Sequence, residues 1–120
     1  MQLITNIRTI AYEEIQVQKE LAEYIVDQIN SKLDSKKYSS KLWNDTMNNN
    51  LLDITVKYID MSKKDNSDNM CMPVIKTLVE RSISDKISID TDDTLTLSKV
   101  KLDMDDDYHI ELTMSFIITI

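Results

Sequence analysis

The side chains with the most chemistry to offer are acids gathered late in the chain: Asp90, Asp92 and Asp93 in one run, Asp103, Asp105, Asp106 and Asp107 in a second, and Glu111 just beyond. Between Asp85 and Glu111 nine acids meet three lysines, whereas residues 1–84 carry twelve acids and eleven bases. Nearly all of the net charge of −7 therefore sits in this one stretch. Three uses of such carboxylates compete. In a chain without a single glycine, Asp fills turns because it tolerates left-handed backbone and bonds nearby amides, and charged loops keep an apolar hairpin soluble. Alternatively, the turns at 90–93 and 103–107 form an anionic surface in which carboxylates stand in for nucleic-acid phosphates against a basic groove on a protein partner. The third use is a divalent cation. Asp103, Asp105 and Asp107 alternate as in hard-cation loops, but the glycine and the bidentate acid of such loops are both missing.

His109 is the only histidine, so any Ser-His-Asp or Cys-His arrangement would have to use it. On the last strand it points away from the apolar face, beside Glu111, which suits a surface or paired histidine better than a general base. Acids in solvated turns are expected to keep ordinary pKa values, which makes them poor acid-base catalysts. The lone thiol, Cys71, lies just before a helix start that could activate it, but no histidine is near in sequence. Without glycine, phosphate-cradling loops, dinucleotide-binding turns and nucleophile elbows cannot exist in their usual form. No enzyme, metal or cofactor is expected. Direct nucleic-acid binding is disfavoured as well, because only Arg8 and Arg81 supply guanidinium groups in an acidic chain.

The elements that would position these residues follow from periodicity. Tyr108 starts a run in which every second residue is apolar, through Ile110, Leu112, Met114, Phe116, Ile118 and Ile120. The uncharged end of that run would aggregate at an open edge, so the strand must be central or pair with a second subunit. Leu95 to Met104 reads as its hairpin partner, with an apolar phase that slips by one residue near Ser98 or Lys99 and so predicts a bulge. Ile87 and Ile89 suggest a short strand, with a turn at 91–93. Residues 51–61 alternate Leu52, Ile54, Val56 and Tyr58 against polar neighbours and predict a half-buried strand.

Helices are expected from Thr9 to Leu33, with residues 2–12 open to either helix or strand and helix slightly favoured, and from Pro73 to about Ser82. The first helix bears two apolar stripes. One runs through Ile10, Val17, Leu21 and Tyr24, the other through Ala11, Ile15, Ala22, Val26, Ile29 and Leu33. Two stripes fit a helix wedged between a sheet and another helix, or one stripe left over as a homodimer seam. Residues 41–47 can form a short helix carrying Trp43, a core anchor or an exposed contact. Ser62 to Asn69 reads as a flexible connection.

Ile, Leu, Val and Phe supply 34 of 120 residues, enough for one core, and the single cysteine closes no intrachain disulfide. No run approaches the roughly 18 apolar residues of a membrane span. The expected fold is a single α+β domain over 1–120: an antiparallel sheet of about four strands packed against a long N-terminal helix and a second helix. With heavy Ile, Asn, Lys and Asp usage pointing to an AT-rich genome, the expected role is a phage- or mobile-element-encoded binding protein in the host cytoplasm. It would inhibit a basic, nucleic-acid-binding host protein, a defence-system protein included. The alternative is a small viral assembly protein that forms a homo-oligomer.

Overall fold

A computed structural model describes residues 2–90 and 94–119. Its sheet is organised around β4 (His109–Ile118), which lies between β2 (Asn50–Asp60) and β3 (Leu95–Met104). A fourth strand, β1 (Ser39–Asn44), adds to the free edge of β2, giving the all-antiparallel order β1-β2-β4-β3. The fold is α+β, with the sheet packed on one face by α1 (Gln2–Asp34) and α2 (Met72–Asp90). Alternation dictates the core. Ile110, Leu112, Met114 and Phe116 all point inward and are buried, flanked by Val56 and Ile59 of β2 and by Val100 and Leu102 of β3. The apolar, uncharged end of β4 is thus covered on both edges. The strands left at the edges resist further pairing: β1 is short and carries Lys41, and β3 is bulged and carries Lys99 and Lys101.

The bulge in β3 falls between Leu97 and Lys99, where the apolar phase slips. A second bulge, between Val56 and Ile59 of β2, corrects the alternation read from sequence. Tyr58 does not face inward; it is 69% exposed with φ 61°, and Ile59 takes the buried position in its place.

Two further expectations are overturned. Residues 41–47 are not a helix: residues 39–44 form β1, exposed along its whole length. It gains its shape from register with β2 and from a turn built on Asp45, neither of which an apolar pattern reveals. Ile87 and Ile89 do not start a strand. Ile75, Val79, Ile83 and Ile87 recur at steps of four and carry α2 on to Asp90, where the period-two spacing of two isoleucines imitates a strand. The turn expected at 91–93 lies outside the described residues.

The segment from Ser62 to Asn69 is tied down rather than loose. Gln18, 5% exposed, donates from Nε2 to the Asn69 carbonyl at 2.8 Å and accepts the Cys71 amide at 2.9 Å. Both ends of a buried amide are thereby satisfied. Ser67–Asn69 forms a 3₁₀ turn, and Lys64 sits 4.9 Å over the Tyr24 ring. α2 therefore starts beside Gln18, and the cleft between the helices is lined by Lys19, Ala22, Val26, Leu78 and Ser82. From Val17 onward α1 is packed; residues 2–15 are exposed and project. The radius of gyration of 16.9 Å exceeds the roughly 14 Å of a compact chain of this length, in keeping with a molecule 58 Å long and 32 Å wide. Among the described residues no helix is long and apolar enough to cross a membrane.

Candidate functional site

The described acids from Asp103 onward gather at one end of the sheet. The β3–β4 hairpin loop lies at one end of β3, and Thr94, where the described chain resumes, lies at the other, its carbonyl bonded to the Thr119 amide. Ten residues of strand at about 3.3 Å each put roughly 33 Å between those ends. Asp90 is the last residue of α2 rather than part of a turn, and Asp92 and Asp93 lie outside the described residues. The structure brings together Asp103, Asp105, Asp106, Asp107 and Glu111, and to these it adds Asp60, which stands opposite His109 in the β2–β4 register.

Asp105 builds the loop. One of its carboxylate oxygens accepts the amides of Asp107 and His109, each at 2.9 Å, while its own amide bonds the His109 carbonyl and its carbonyl receives the Tyr108 amide. This is a three-residue hairpin closed by a residue in the left-handed region, here Tyr108 with φ 61°. The amide bond from His109 is the main reason the Asp105 carboxyl is held below the ordinary carboxylate value, with the Asp107 amide and the nearby imidazole adding to it. The ordinary pKa expected from a solvated turn does not apply there. Asp60 is likewise lowered, first by the Ser62 hydroxyl and amide and then by the charge of His109 and Lys63.

Around this loop several local rules are broken at once. Asp103 and Glu111 stand directly opposite each other across the β3–β4 ladder, a like-charge pair that destabilises a sheet. Lys101 answers only one of them, 3.6 Å from Asp103. Tyr58 and Tyr108, bulky residues at positive φ, flank His109, whose ring meets Tyr58 edge-on at 6.1 Å and lies 3.3 Å from the second oxygen of Asp105. Strain and like-charge contacts of this kind cluster at functional sites, which makes this end of the sheet the candidate. A dent of about 170 Å³ opens there, lined by Tyr58, Asp103, Asp105, His109 and Glu111 with Met104 and Ile110 beneath.

The dent presents a mainly acidic lining around one imidazole. Its lining holds no Ser, Thr, Cys or Lys that His109 could activate, and Asp105 is committed to holding amides. Among the described residues no group of three or more His, Cys, Asp or Glu is placed to hold a metal ion, so the alternating aspartates do not converge. Cys71 is exposed on the segment held by Gln18.

The sheet face away from the helices carries Thr, Ser, Lys and acid. Trp43, exposed more than a core anchor would be, donates its indole N–H to Asp53 at 3.0 Å, and the Ser115 hydroxyl donates to the other oxygen of Asp53 at 2.7 Å. A shallow groove beside them is lined by Lys99 and Lys101. Sequence reasoning missed Asp60 and Tyr58 because a bulge, not the alternation, places them. The one available signal was the pair of large residues, Tyr58 and Ile59, side by side where a strict alternation would set one of them outward. The chain matches no family model, no curated protein and no solved structure, so its function rests on this geometry.

Proposed function

We propose that the protein is a non-enzymatic binding protein whose acidic hairpin end occupies a basic surface of a protein partner, the kind of surface that otherwise holds nucleic acid. The observation that carries this reading is the opposed pair of Asp103 and Glu111, held in register beside Asp60 and the exposed Asp105, Asp106 and Asp107. Six carboxylates gathered at one sheet end, with Lys101 beside Asp103 and Lys63 near Asp60, present negative charge at short spacing on a rigid support. Rigid, clustered anions are what a phosphate-binding groove recognises. The acidic, glycine-free composition supports a phage or mobile-element origin and, with it, the role of inhibiting a host protein such as a defence component.

The test neutralises charge without unfolding the loop. A variant carrying Asp103→Asn, Asp106→Asn, Asp107→Asn and Glu111→Gln leaves the loop-building Asp105 intact. Proteins captured on the immobilised chain from a bacterial lysate at low salt should be released by duplex DNA and by about 0.5 M salt, and the variant should capture none of them. Capture that is indifferent to salt, to DNA and to the four substitutions sinks the reading. An assembly role is the second reading, favoured by the projecting part of α1. Light scattering separates the two, since a stable species larger than a dimer supports assembly.

A further inference from the structure

The first half of α1 extends beyond the helix's contact with the core. Ile4, Ile7, Ala11 and Ile15 continue, at steps of three and four, the stripe that Gln18, Ala22, Ile25 and Ile29 bury. Yet every residue from 2 to 15 is exposed. The packed part of the fold ends at Val17, so about 15 residues of helix, some 22 Å at 1.5 Å per residue, stand clear as an arm. Leu3, Ile4, Ile7, Ile10 and Ile15 are between 41% and 65% exposed. Together they present on the order of 500 Å² of apolar surface, as much as the largest patch on a typical monomer.

We propose that this arm pairs with the arm of a second copy of the chain, antiparallel and centred at the level of Thr9, so that Ile7 of each arm lies against Ala11 of the other. Three observations select that occupant and that direction. From Gln18 onward the helix face that bears the stripe is already covered by α2 and the sheet. A parallel partner would drive its own sheet into that volume, whereas an antiparallel arm of equal length fits the step between arm and body. Charge agrees: parallel pairing would set Glu14 on Glu14, whereas antiparallel pairing centred at Thr9 sets each Glu14 at the level of the uncharged Ile4 of the other arm. Area agrees too. Two such faces bury about 1,000 Å² of apolar surface, which with flanking polar atoms reaches the lower range of specific interfaces, roughly 1,200 Å². The dimer is therefore isologous and concentration-dependent. It does not rest on the acidic hairpin.

Sedimentation of the intact chain at about 100 µM should give twice the 14.0 kDa chain mass. Ile7→Asp should return it to a monomer, and at dilutions where both chains are monomeric its thermal unfolding should match that of the parent, because Ile7 is exposed. Direction is read by disulfide capture in a Cys71→Ser background. An oxidised mixture of Ile7→Cys and Ala11→Cys chains should form the mixed disulfide faster than either forms its own. Raising the salt should strengthen the dimer, since each copy carries −7. A monomer at that concentration, a species larger than a dimer, an undiminished dimer in Ile7→Asp, or faster 7–7 and 11–11 disulfides would each overturn the proposal.

Discussion

The β1–β2 loop and the β3–β4 loop are built to one plan. In each an aspartate, Asp45 or Asp105, accepts amides from two and four residues ahead, and its own amide and carbonyl close the same pair of backbone bonds. In each the chain turns through a residue of positive φ at the third position after the aspartate. The difference is what fills that position and what stands around it. The first loop uses Asn48, a residue suited to left-handed backbone, among neutral neighbours. The second uses Tyr108 and surrounds it with Asp60, Asp103, Asp106, Asp107 and Glu111. The second accepts strain and charge repulsion that the first shows to be avoidable, and that excess is why the proposed function is placed there.

The strands flanking the loops differ most. Leu112→Ala, in the middle of the buried β4 stripe, should cost about 2–5 kcal/mol in denaturant unfolding. Leu42→Ala, on β1 and 69% exposed, should change stability by no more than about 0.5 kcal/mol. Comparable losses would mean that β1 belongs to the core after all.

The turn residues come next. Asn48→Tyr imposes on the first loop the conformation that the second already bears and should cost about 1–2 kcal/mol. Tyr58→Asn, at an exposed left-handed position with little packing to lose, should instead stabilise by about 1 kcal/mol. If unfolding midpoints move the opposite way at either position, strain is not what separates the two ends of the sheet.

The smallest effect is in acid. Bonds to the ionised form hold Asp45, Asp60 and Asp105 below the ordinary 3.8. Each therefore contributes its full stabilisation above that value and loses it as pH falls towards and through the lower folded value. Thermal unfolding followed from pH 5 downward should fall most steeply below about pH 4, and Asp45→Asn and Asp105→Asn should each flatten the profile by a similar amount. A much larger flattening at Asp105 would show that the surrounding acids, and not the shared loop plan, set its titration.

What could be read without coordinates divides along the same line. The β3–β4 hairpin was legible down to the bulge at Leu97 to Lys99 because one face of each strand is buried, and burial writes period two into the residues. β1 left no such trace because none of it is buried. The far end of α2 was misread because isoleucines at 87 and 89 satisfy a strand period while Ile83 and Ile87 satisfy a helical one. At the site, the hairpin acids were visible as residue types. Their separation from Asp90, the arrival of Asp60, and the opposition of Asp103 to Glu111 depend on register and bulges, which only pairing reveals.

The central claim, that the acids of the β3–β4 end act by position and not merely by charge, is tested most directly by two variants of equal net charge. One neutralises Asp103, Asp106, Asp107 and Glu111. The other neutralises Glu20, Glu23, Asp27 and Glu80, exposed acids on the helices. With salt-sensitive capture of partner proteins from a lysate as the readout, the hairpin variant should lose binding while the helix variant retains it. Equal loss in both would leave only bulk acidity and contradict the account.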